Sequence, residues 1–427
     1  MALQRSNAET RLWTDRTARS LLRRLFDVAI ASADPARVLS GHLPERPKGR
    51  CVVVGAGKAA GAMAQAVEAA WPDVAMSGAV VVPYGQGLPT SRIRIMEARH
   101  PVPDAASEQA ALAMLAAVAG LGRDDLVLAL ISGGGSSLMA LPAEGLSLVD
   151  KQAANRALLA SGLDIRTMNI IRRRLSRIKG GRLAAAAAPA RVVTLGISDI
   201  PGDDPAAIAS GPTLPDSGAG VDLNPAIAGI RHLLPPAVMA VLSREGEPPV
   251  YLDATDFRMI ATPARALEAA AASARMAGLD AVVLGDAVEG EASVVGAAMA
   301  EVAQRPITRP TVYLSGGETT VTIGDAGAGR GGRNTEFLLS LAKALDGRAG
   351  VWAMAGDTDG EDGASGGAAG AVIDPSTIAR GAARGLAIDA SLANHDSGHY
   401  FDRIGDLVVT GPTRTNVNDF RAVLVIP

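Results

Sequence analysis

The sequence predicts a two-domain α/β protein, and three observations support this prediction. Its 427 residues exceed the ~250–300 residues at which a single hydrophobic core stops growing. Apolar β-branched runs alternate with alanine-rich amphipathic stretches, which is typical of βαβ units with a largely parallel sheet. With 48 glycines and only 3% aromatic residues, the core is expected to consist of Ala, Val, Leu and Ile joined by many turns.

The elements are predicted from apolar runs and helix-start signals along the chain. In the first half, strands are predicted at Cys51–Val54, Ala79–Val82, Leu126–Ile131 and Arg191–Ile197, and helices at Ala59–Ala70, Ala105–Ala119 and Leu148–Ala160. A helix is predicted at Thr262–Ala277, because threonine is a favoured N-cap and proline is favoured at the first helical position. Later strands are predicted at Ala281–Leu284, Thr311–Leu314, Val351–Ala355, Leu407–Thr410 and Ala422–Ile426. The proline-rich segment Asp216–Pro249 is expected to form peripheral helices and inter-domain connections.

Charge and cysteine content narrow the class of protein. A net charge of −3 and a pI near 6.0 provide no field that attracts nucleic acid or an anionic membrane, so neither partner is expected. The basic run Arg172–Arg174 is expected to be a solvated helix face. A single cysteine, Cys51, excludes an internal disulfide, and neither a signal peptide nor an apolar run of ~18 residues is found, so a cytoplasmic enzyme is expected.

The first candidate loop, Gly55-Ala56-Gly57-Lys58, joins a buried strand to the start of a helix. Its backbone N–H groups and the positive end of the helix are expected to bind an anion, with Lys58 contacting phosphate. A third glycine comes one residue too late for a dinucleotide fingerprint, and Pro83-Tyr84 stands where a ribose-binding acid is expected, which disfavours a nicotinamide cofactor. A Walker A loop is not matched either. The alternative is that Gly55 and Gly57 only permit close packing while Lys58 is solvated.

Two further loops follow predicted strands. The glycines and hydroxyls of the first loop are candidates for binding carboxylate or phosphate oxygens. They are Ser132, Gly133, Gly134, Gly135, Ser136 and Ser137. The alternative is that this loop is a flexible linker. In the second, Asp199 and Asp203 lie near the carboxyl end of a strand, where open α/β sheets bind ligands. Both are candidates for Mg²⁺ binding, and Asp199 also for accepting a proton from a substrate hydroxyl. Turn formation is the alternative for these acids, and it explains Asp199 least well.

The second half contributes a glycine-rich pair of loops with two arginines. One loop ends a predicted strand and the other opens a helix, and their candidate residues are Gly316, Gly317, Glu318, Arg330, Arg333 and Asn334. A guanidinium in such a turn is suited to neutralising the charge on a transferring phosphoryl group. The alternative is that these arginines form surface salt bridges. Acid-rich turns add Asp357 and Asp396 as candidates for ligand binding. His100, beside Pro101, is expected to pack in a turn.

Taken together, these motifs resemble the glycerate 2-kinase family, whose members carry a C-terminal MOFRL domain and include proteins labelled hydroxypyruvate reductase. The resemblance covers essentially the whole chain. It runs through Val53–Ala59, Ser132–Ser136, Ile171–Leu183, Ser198–Pro205, Ala209–Thr213, Gly331–Asn334, Gly356–Gly360 and Thr410–Asp419.

The resemblance implies two α/β/α three-layer domains with a cleft between them, the first a Rossmann-like, mainly parallel sheet and the second a mixed sheet. The domains are expected at residues 1–250 and 251–427, with the MOFRL region at about 308–420. The implied activity is ATP-dependent phosphorylation of D-glycerate at its 2-hydroxyl with Mg²⁺. A lysine matching Lys58 and an arginine matching Arg330 or Arg333 act on the phosphates, and we favour Arg333. Lys179 is expected to contact substrate or nucleotide.

Two other functions stay open at this point. The family's older label suggests an NAD(P)H-dependent hydroxypyruvate reductase, which would consume NADH in the presence of hydroxypyruvate. A non-catalytic protein that binds a sugar acid or a nucleotide is the third alternative, and it is disfavoured because a binding module has little need for so many acids at strand ends. The expected partners are small molecules, and the sequence is compatible with a homodimer.

Overall fold

The computed structural model describes residues 13–244, 252, 255–324, 327 and 329–427. They divide into two compact units that do not follow a single cut in the chain. The parallel-sheet unit comprises Ile30–Ala266 and Pro412–Asn418, and the mixed-sheet unit comprises the described residues up to Ala29 together with Leu267–Gly411 and Asp419–Pro427. The division thus differs from the predicted boundary after residue 250. Residues 245–250, at the end of the predicted proline-rich segment, lie outside the described residues.

The parallel-sheet unit is built on six strands in the order β3-β2-β1-β4-β5-β6, all parallel. Their bounds are β1 Cys51–Ala56, β2 Met76–Pro83, β3 Arg94–Ala98, β4 Leu126–Ile131, β5 Arg191–Ile197 and β6 Asp256–Ala261. This is the strand order of the Rossmann fold, in which the order reverses between β1 and β4. The predicted Rossmann-like parallel sheet is confirmed.

The mixed-sheet unit contains a second six-stranded sheet, in the order β13-β12-β11-β14-β9-β7. Only the β7/β9 pair is parallel, and the other four pairs are antiparallel. The bounds are β7 Asp280–Gly285, β8 Gly290–Glu291, β9 Thr311–Gly317, β10 Thr319–Thr320, β11 Val351–Asp357, β12 Gly370–Ile373, β13 Leu407–Val408 and β14 Asp419–Val425. Strands β8 and β10 form a separate two-stranded sheet. The predicted mixed sheet is also confirmed.

Several helices begin after a residue whose side chain accepts a hydrogen bond from the first turn, as Asp104 and Ser147 do. Their bounds are α1 Asp15–Ser32, α2 Pro35–Val38, α3 Ala60–Ala70, α4 Ala105–Val118, α5 Gly135–Leu138, α6 Leu148–Leu159, α7 Ile165–Arg174, α8 Arg182–Ala186, α9 Asn224–Ala228, α10 Pro236–Leu242, α11 Pro263–Met276, α12 Ala292–Ala303, α13 Arg333–Leu345, α14 Thr377–Ala382, α15 Ile388–Ala393 and α16 Ser397–Ile404. Short 3₁₀ turns occur at Leu39–His42, Pro201–Asp203, Ile208–Ser210 and Arg231–Leu233. Thr262 accepts a hydrogen bond from the backbone N–H of Arg265 (3.2 Å), so the predicted start of α11 is confirmed.

Three apolar clusters position the site. On one face of the parallel sheet, alternate residues of β1 such as Val54 pack with Met114 of α4. On the opposite face, Gly61 of α3 lies against Val82 of β2. A separate cluster joins α6 and α7 to α9 and α10 through side chains such as Leu158 and Ile171. A third cluster fills the mixed-sheet unit around α13. Within the described residues, no helix combines the length and apolar character needed to cross a bilayer.

Candidate active site

The turn between β1 and α3 does not present its backbone N–H groups to a ligand. Those of Gly57, Lys58 and Ala59 donate to Val81 O (3.1 Å), Gly133 O (2.9 Å) and Ser132 Oγ (3.0 Å). A Cβ on Gly55 or Gly57 would lie 2.2 Å from a β4 carbonyl or from Ser132 Oγ, so both glycines are close-packing positions. The expectation that this turn cradles an anion through its backbone is therefore wrong, because neighbouring loops already take those donors. The side chain of Lys58 is half-buried.

The loop after β4 lies against the β1–α3 turn and against the loop after β5. Ser132 is fully buried, and its hydroxyl oxygen accepts the hydrogen bond from the backbone N–H of Ala59 in the β1–α3 turn. A Cβ on Gly133 would lie 1.8 Å from Asp199 Oδ2, so only glycine allows the carboxylate to approach the loop this closely. Asn416 donates from Nδ2 to the same oxygen (3.0 Å) and fixes its direction. Lys58, Gly133, Asp199 and Asn416 thus meet at the carboxyl ends of β1, β4 and β5.

Residues further along the same loop line a cavity of 220 Å³. Gly134, Ser136 and Ser137 form one wall, as predicted for a ligand-binding loop, and His100 lies beside Gly134 rather than simply packing in a turn. The opposite wall is one face of α6, with residues at helical spacing: Lys151, Ala154, Asn155 and Leu158. Gly135, by contrast, is buried against β1 and does not line the cavity, since a Cβ there would lie 2.7 Å from Ala56 O.

Three cationic side chains line this cavity, and we call it the cationic cavity after them: Lys151, Arg172 and Lys179. Lys151 Nζ donates to Leu175 O (2.7 Å), and Lys179 Nζ donates to Ser136 O (2.7 Å) and Ser136 Oγ (2.5 Å). Burial, reinforced by nearby Arg172 and Arg182, lowers the pKa of Lys151 to about 7. Burial, with Lys151 and Arg172 nearby, also lowers the pKa of Lys179 well below its usual value.

The run Arg172–Arg174 is not the solvated helix face that its sequence suggests. Arg173 is buried and pairs with Asp216 (2.7 Å). Arg172 donates to Asn155 Oδ1 (2.9 Å) and lines the cavity, and Arg174 donates to Val221 O (2.6 Å). The run was misinterpreted because the loop that contains Asp216 and Val221 contacts Arg173 and Arg174, a tertiary contact that charge patterning does not reveal.

The mixed-sheet unit holds Arg333 at the start of α13 among three carboxylates. It donates from Nε to Asp419 Oδ1 (2.9 Å), from Nη2 to Asp357 Oδ2 (2.9 Å) and from Nη1 to Glu318. Burial alone would lower the pKa of Arg333, but Asp419, Asp357 and Glu318 outweigh it and raise that pKa above its usual value. Gly316 and Gly317 belong to β9, which pairs with β14 so that Gly317 lies opposite Asp419. The guanidinium is therefore permanently charged and rigidly aimed.

A buried layer holds this arginine site in place. Arg421 is fully buried and donates from Nη2 to Asp419 Oδ2 (2.7 Å). Asn334, also fully buried, donates from Nδ2 to Asp419 Oδ1 (2.8 Å), so its contacts are with the protein interior. Asp362 accepts from the backbone N–H groups of Asn334 and Thr335 (2.9 Å each) and closes the start of α13, and burial raises its pKa to about 6.

Arg330 and Asp396 lie in a different arrangement from Arg333. The backbone N–H of Arg330 donates to Asp396 Oδ1 (2.8 Å), and its guanidinium donates to Ser365 O (3.0 Å) and Asp402 Oδ2 (2.8 Å). These bonds tie the loop before α13 to α16. The hydrogen bonds of Arg330 therefore hold neighbouring segments of the chain together, whereas the guanidinium of Arg333 bonds to three carboxylates.

Comparisons with known proteins identify the family. Residues 21–243 match the family model described as a domain of unknown function, DUF4147, and residues 311–419 match the MOFRL family. A D-glycerate 2-kinase from Thermotoga maritima is 36% identical over 405 residues, which is 93% of this chain and 96% of that protein. The chain belongs to the glycerate 2-kinase family with a C-terminal MOFRL domain.

Members of the glycerate 2-kinase family carry two kinds of name. A protein from Agrobacterium vitis, provisionally named hydroxypyruvate reductase, is 56% identical over 420 residues, or 97% of this chain and 96% of that protein. The crystal structure of glycerate kinase from Thermotoga maritima matches with a TM-score of 0.86 at 35% identity, covering 96% of this chain and 100% of the other. The family predicted from the motifs is confirmed, and its glycerate kinase members support a kinase.

The acids that this family member could offer to Mg²⁺ are few. Among the residues that the structure describes, no group of three or more His, Cys, Asp or Glu side chains could hold a metal ion. Asp203 nevertheless has a buried carboxylate oxygen, Oδ1, with no hydrogen-bond partner in the described part of the chain. Mg²⁺ usually binds one or two carboxylates together with substrate phosphates and water. Asp199 and Asp203 fit that chemistry as a partial ligand set.

Five functional candidates escaped the sequence-based prediction: Lys151, Arg172, Asn416, Asp419 and Arg421. Lys151 sits in an ordinary helical pattern, and its burial follows only from the packing of α6. Asp419 and Arg421 have the spacing of neighbours on one face of a strand, which is a usable signal, since an acid and a base two apart in an apolar strand face the same way.

Proposed function

We propose that this protein transfers the γ-phosphate of ATP to the 2-hydroxyl of D-glycerate. The observation that carries the proposal is the convergence of Lys58, Gly133, Asp199 and Asn416 where the strand order of the parallel sheet reverses, the place where open α/β sheets bind ligands. Glycerate kinase relatives that align with most of the chain support the choice of reaction.

In the proposed reaction the 2-hydroxyl oxygen bonds to the γ-phosphorus while the bond from phosphorus to the ADP oxygen breaks. The hydroxyl proton passes to the Asp199 carboxylate, whose orientation Asn416 and Gly133 set. The Lys58 ammonium neutralises charge on the phosphoryl oxygens. Mg²⁺, bound by ATP and by Asp199 or Asp203, would add further positive charge to the phosphates.

Arg333 is the second cation in the proposal. Its partners differ in accessibility, because the side chain of Glu318 is 51% exposed while those of Asp357 and Asp419 are 7% and 0% exposed. A phosphate oxygen would therefore replace Glu318 at Nη1, while the two buried acids keep the guanidinium oriented.

Hydroxypyruvate reduction is the second candidate, because of the reductase name of a relative 56% identical to this chain. Two features argue against a nicotinamide cofactor at the β1–α3 turn. The N–H groups that would bind a pyrophosphate there are taken by Val81, Gly133 and Ser132. Strand β2 ends at Pro83 with no acid for a ribose.

One assay pair separates the two functions. The wild type is incubated with D-glycerate, ATP and Mg²⁺ while ADP release is followed, and separately with hydroxypyruvate and NADH or NADPH while absorbance of the reduced cofactor is followed. We expect ADP release alone. Coupling the product to enolase, which accepts 2-phosphoglycerate directly, identifies the phosphorylated hydroxyl. Cofactor oxidation without ADP release would replace the kinase proposal, and near-full turnover by Lys58→Ala would remove the role of that lysine.

A further inference from the structure

The cationic cavity contains three basic side chains and no acidic partner for them. Among the described residues, Lys151, Arg172 and Lys179 form no ion pair, and each donates only to carbonyl, amide or hydroxyl oxygens. Their neighbour Arg173 shows the usual arrangement, since it is buried against Asp216. The residues that line the cavity include no aspartate or glutamate.

Such a cluster is unfavourable in a ligand-free protein. Buried cations lose hydration and repel one another unless an anion compensates, and proteins normally pair them. The lowered pKa values of Lys151 and Lys179 have this origin, burial first and neighbouring cations second. Clusters of this kind are found where a ligand supplies the missing charge.

We propose that the cationic cavity binds the carboxylate of the hydroxy-acid substrate through Lys151, Lys179 and Arg172. The identity of the acid rests on the proposed kinase function, whereas anion binding at this place does not. At 220 Å³ the cavity is smaller than the ~300–1,000 Å³ of pockets for drug-sized ligands, so it suits a three-carbon acid rather than a whole nucleotide.

The loop after β4 connects this cavity to the proposed reaction centre. Gly133 touches the Asp199 carboxylate, while Gly134 and Ser136 line the cavity. Lys179 Nζ donates hydrogen bonds to Ser136 O and Ser136 Oγ, which tie this side chain to the loop. In a 2-hydroxy acid the hydroxyl is on the carbon bonded to the carboxylate. Anchoring the carboxylate therefore fixes the position of the nucleophile, which makes the three cations substrate-positioning groups.

The test is calorimetric titration of the full-length protein with D-glycerate, without ATP, and separately with ATP and Mg²⁺. Lys151→Met and Lys179→Met should weaken D-glycerate binding by about 10- to 100-fold, the range for losing one charge-assisted contact. Arg174→Gln is the matched control, because Arg174 lies on the same helix as Arg172 but bonds to carbonyl oxygens away from the cavity. Glycerol, which lacks the carboxylate, should not bind measurably.

A proton count separates ligand binding from a structural role. At about pH 8 Lys151 is mostly neutral, so binding of a carboxylate should take up about one proton, seen by titrating in buffers of different ionisation enthalpy. Lys151→Met should reduce that uptake. Arg172, Lys179 and His100, which also line the cavity, and Arg182 nearby are the other charged or titratable groups around Lys151.

The outcomes are distinct. Unchanged D-glycerate affinity in both lysine variants, or no D-glycerate binding to the wild type, would overturn the inference. Loss of ATP affinity instead of D-glycerate affinity would assign the cavity to nucleotide phosphates and overturn it equally. If the wild type releases no ADP but binds D-glycerate through the lysines, the kinase proposal fails while the carboxylate site stands.

Discussion

Replacing Lys151 by methionine should stabilise the ligand-free protein near neutral pH. Lys151 is 9% exposed, and burial lowers its pKa from 10.5 to about 7. At ~1.4 kcal/mol per pH unit, this corresponds to about 5 kcal/mol of unfavourable free energy for the charged form in the folded protein. The variant loses one hydrogen bond, worth about 1 kcal/mol, but Leu175 O remains bonded to the backbone N–H of Ala143 (3.1 Å). A net gain of about 3–4 kcal/mol is expected.

The sign of the pH dependence follows from the lowered pKa. Between pH 7 and 10.5 the unfolded chain retains a proton on Lys151 that the folded protein has released, so the wild type becomes more stable as pH rises through this window. The gain from methionine is therefore largest at and below about pH 7 and shrinks towards pH 10.5. The assay is urea and thermal unfolding at about pH 6, 7 and 9 for both proteins.

Lys343→Met is the matched control, because Lys343 is exposed and pairs with Asp389 at the surface. It should change stability by less than about 0.5 kcal/mol. A fall in stability of Lys151→Met at about pH 6, or a pH dependence unchanged from the wild type, would refute the reasoning. Lys151 would then be a structural lysine whose burial is compensated within the fold.

Three further substitutions test the site. Arg333→Lys should lower kcat for ADP release by about 10³-fold, because one ammonium cannot engage the two buried carboxylates and a phosphate at once; near-normal kcat would exclude the role of its guanidinium. Gly133→Ala places a Cβ 1.8 Å from Asp199 Oδ2 and should lower kcat by about 10²-fold, whereas Gly41→Ala, which meets nothing within 4 Å, should not; equal rates would show that Asp199 can move harmlessly. Arg421→Met removes a partner of a buried carboxylate and should destabilise by about 3 kcal/mol, measured by unfolding, and an unchanged transition would contradict this.

In the parallel sheet, the central strands were predictable from the sequence and the two edge strands were not. Strands β1 and β4 are buried along their whole length and read as unbroken apolar runs. At the edges, β3 carries Arg94 and Glu97, and β6 carries Asp256 and Arg258. Charges on edge strands protect them from pairing with other chains, but they also remove the apolar pattern on which prediction relies. The edge strands β3 and β6 were missed for that physical reason, whereas β7 and β13, at the edges of the mixed sheet, were predicted.

The candidate site was predictable in its loops and less so in its contacts. A strand, a glycine turn and a helix are local features, so the sequence located the loops after β1, β4 and β5. Whether the N–H groups of Lys58 and Ala59 stay open depends on the loop after β4, which is more than seventy positions away in the sequence. Only the pairing of β1 with β4 brings Ser132 and Gly133 there to accept them. The sequence therefore predicted an anion-binding turn, whereas in the structure these N–H groups bond to the loop after β4.

The two charge clusters have opposite balances, and this separates their roles. In the mixed-sheet unit, Arg333 and Arg421 face Glu318, Asp357 and Asp419, so acids outnumber bases. Such a cluster keeps an arginine charged and oriented. Because its net charge is negative, a cation that arrives with the nucleotide would stabilise it. The cationic cavity has bases alone and gains only from an anion. A small acid has no cation to bring to the first cluster, whereas its carboxylate meets the need of the second. We therefore expect the parallel-sheet unit to select the acid, and substitutions there to change the KM for the acid more than the KM for ATP.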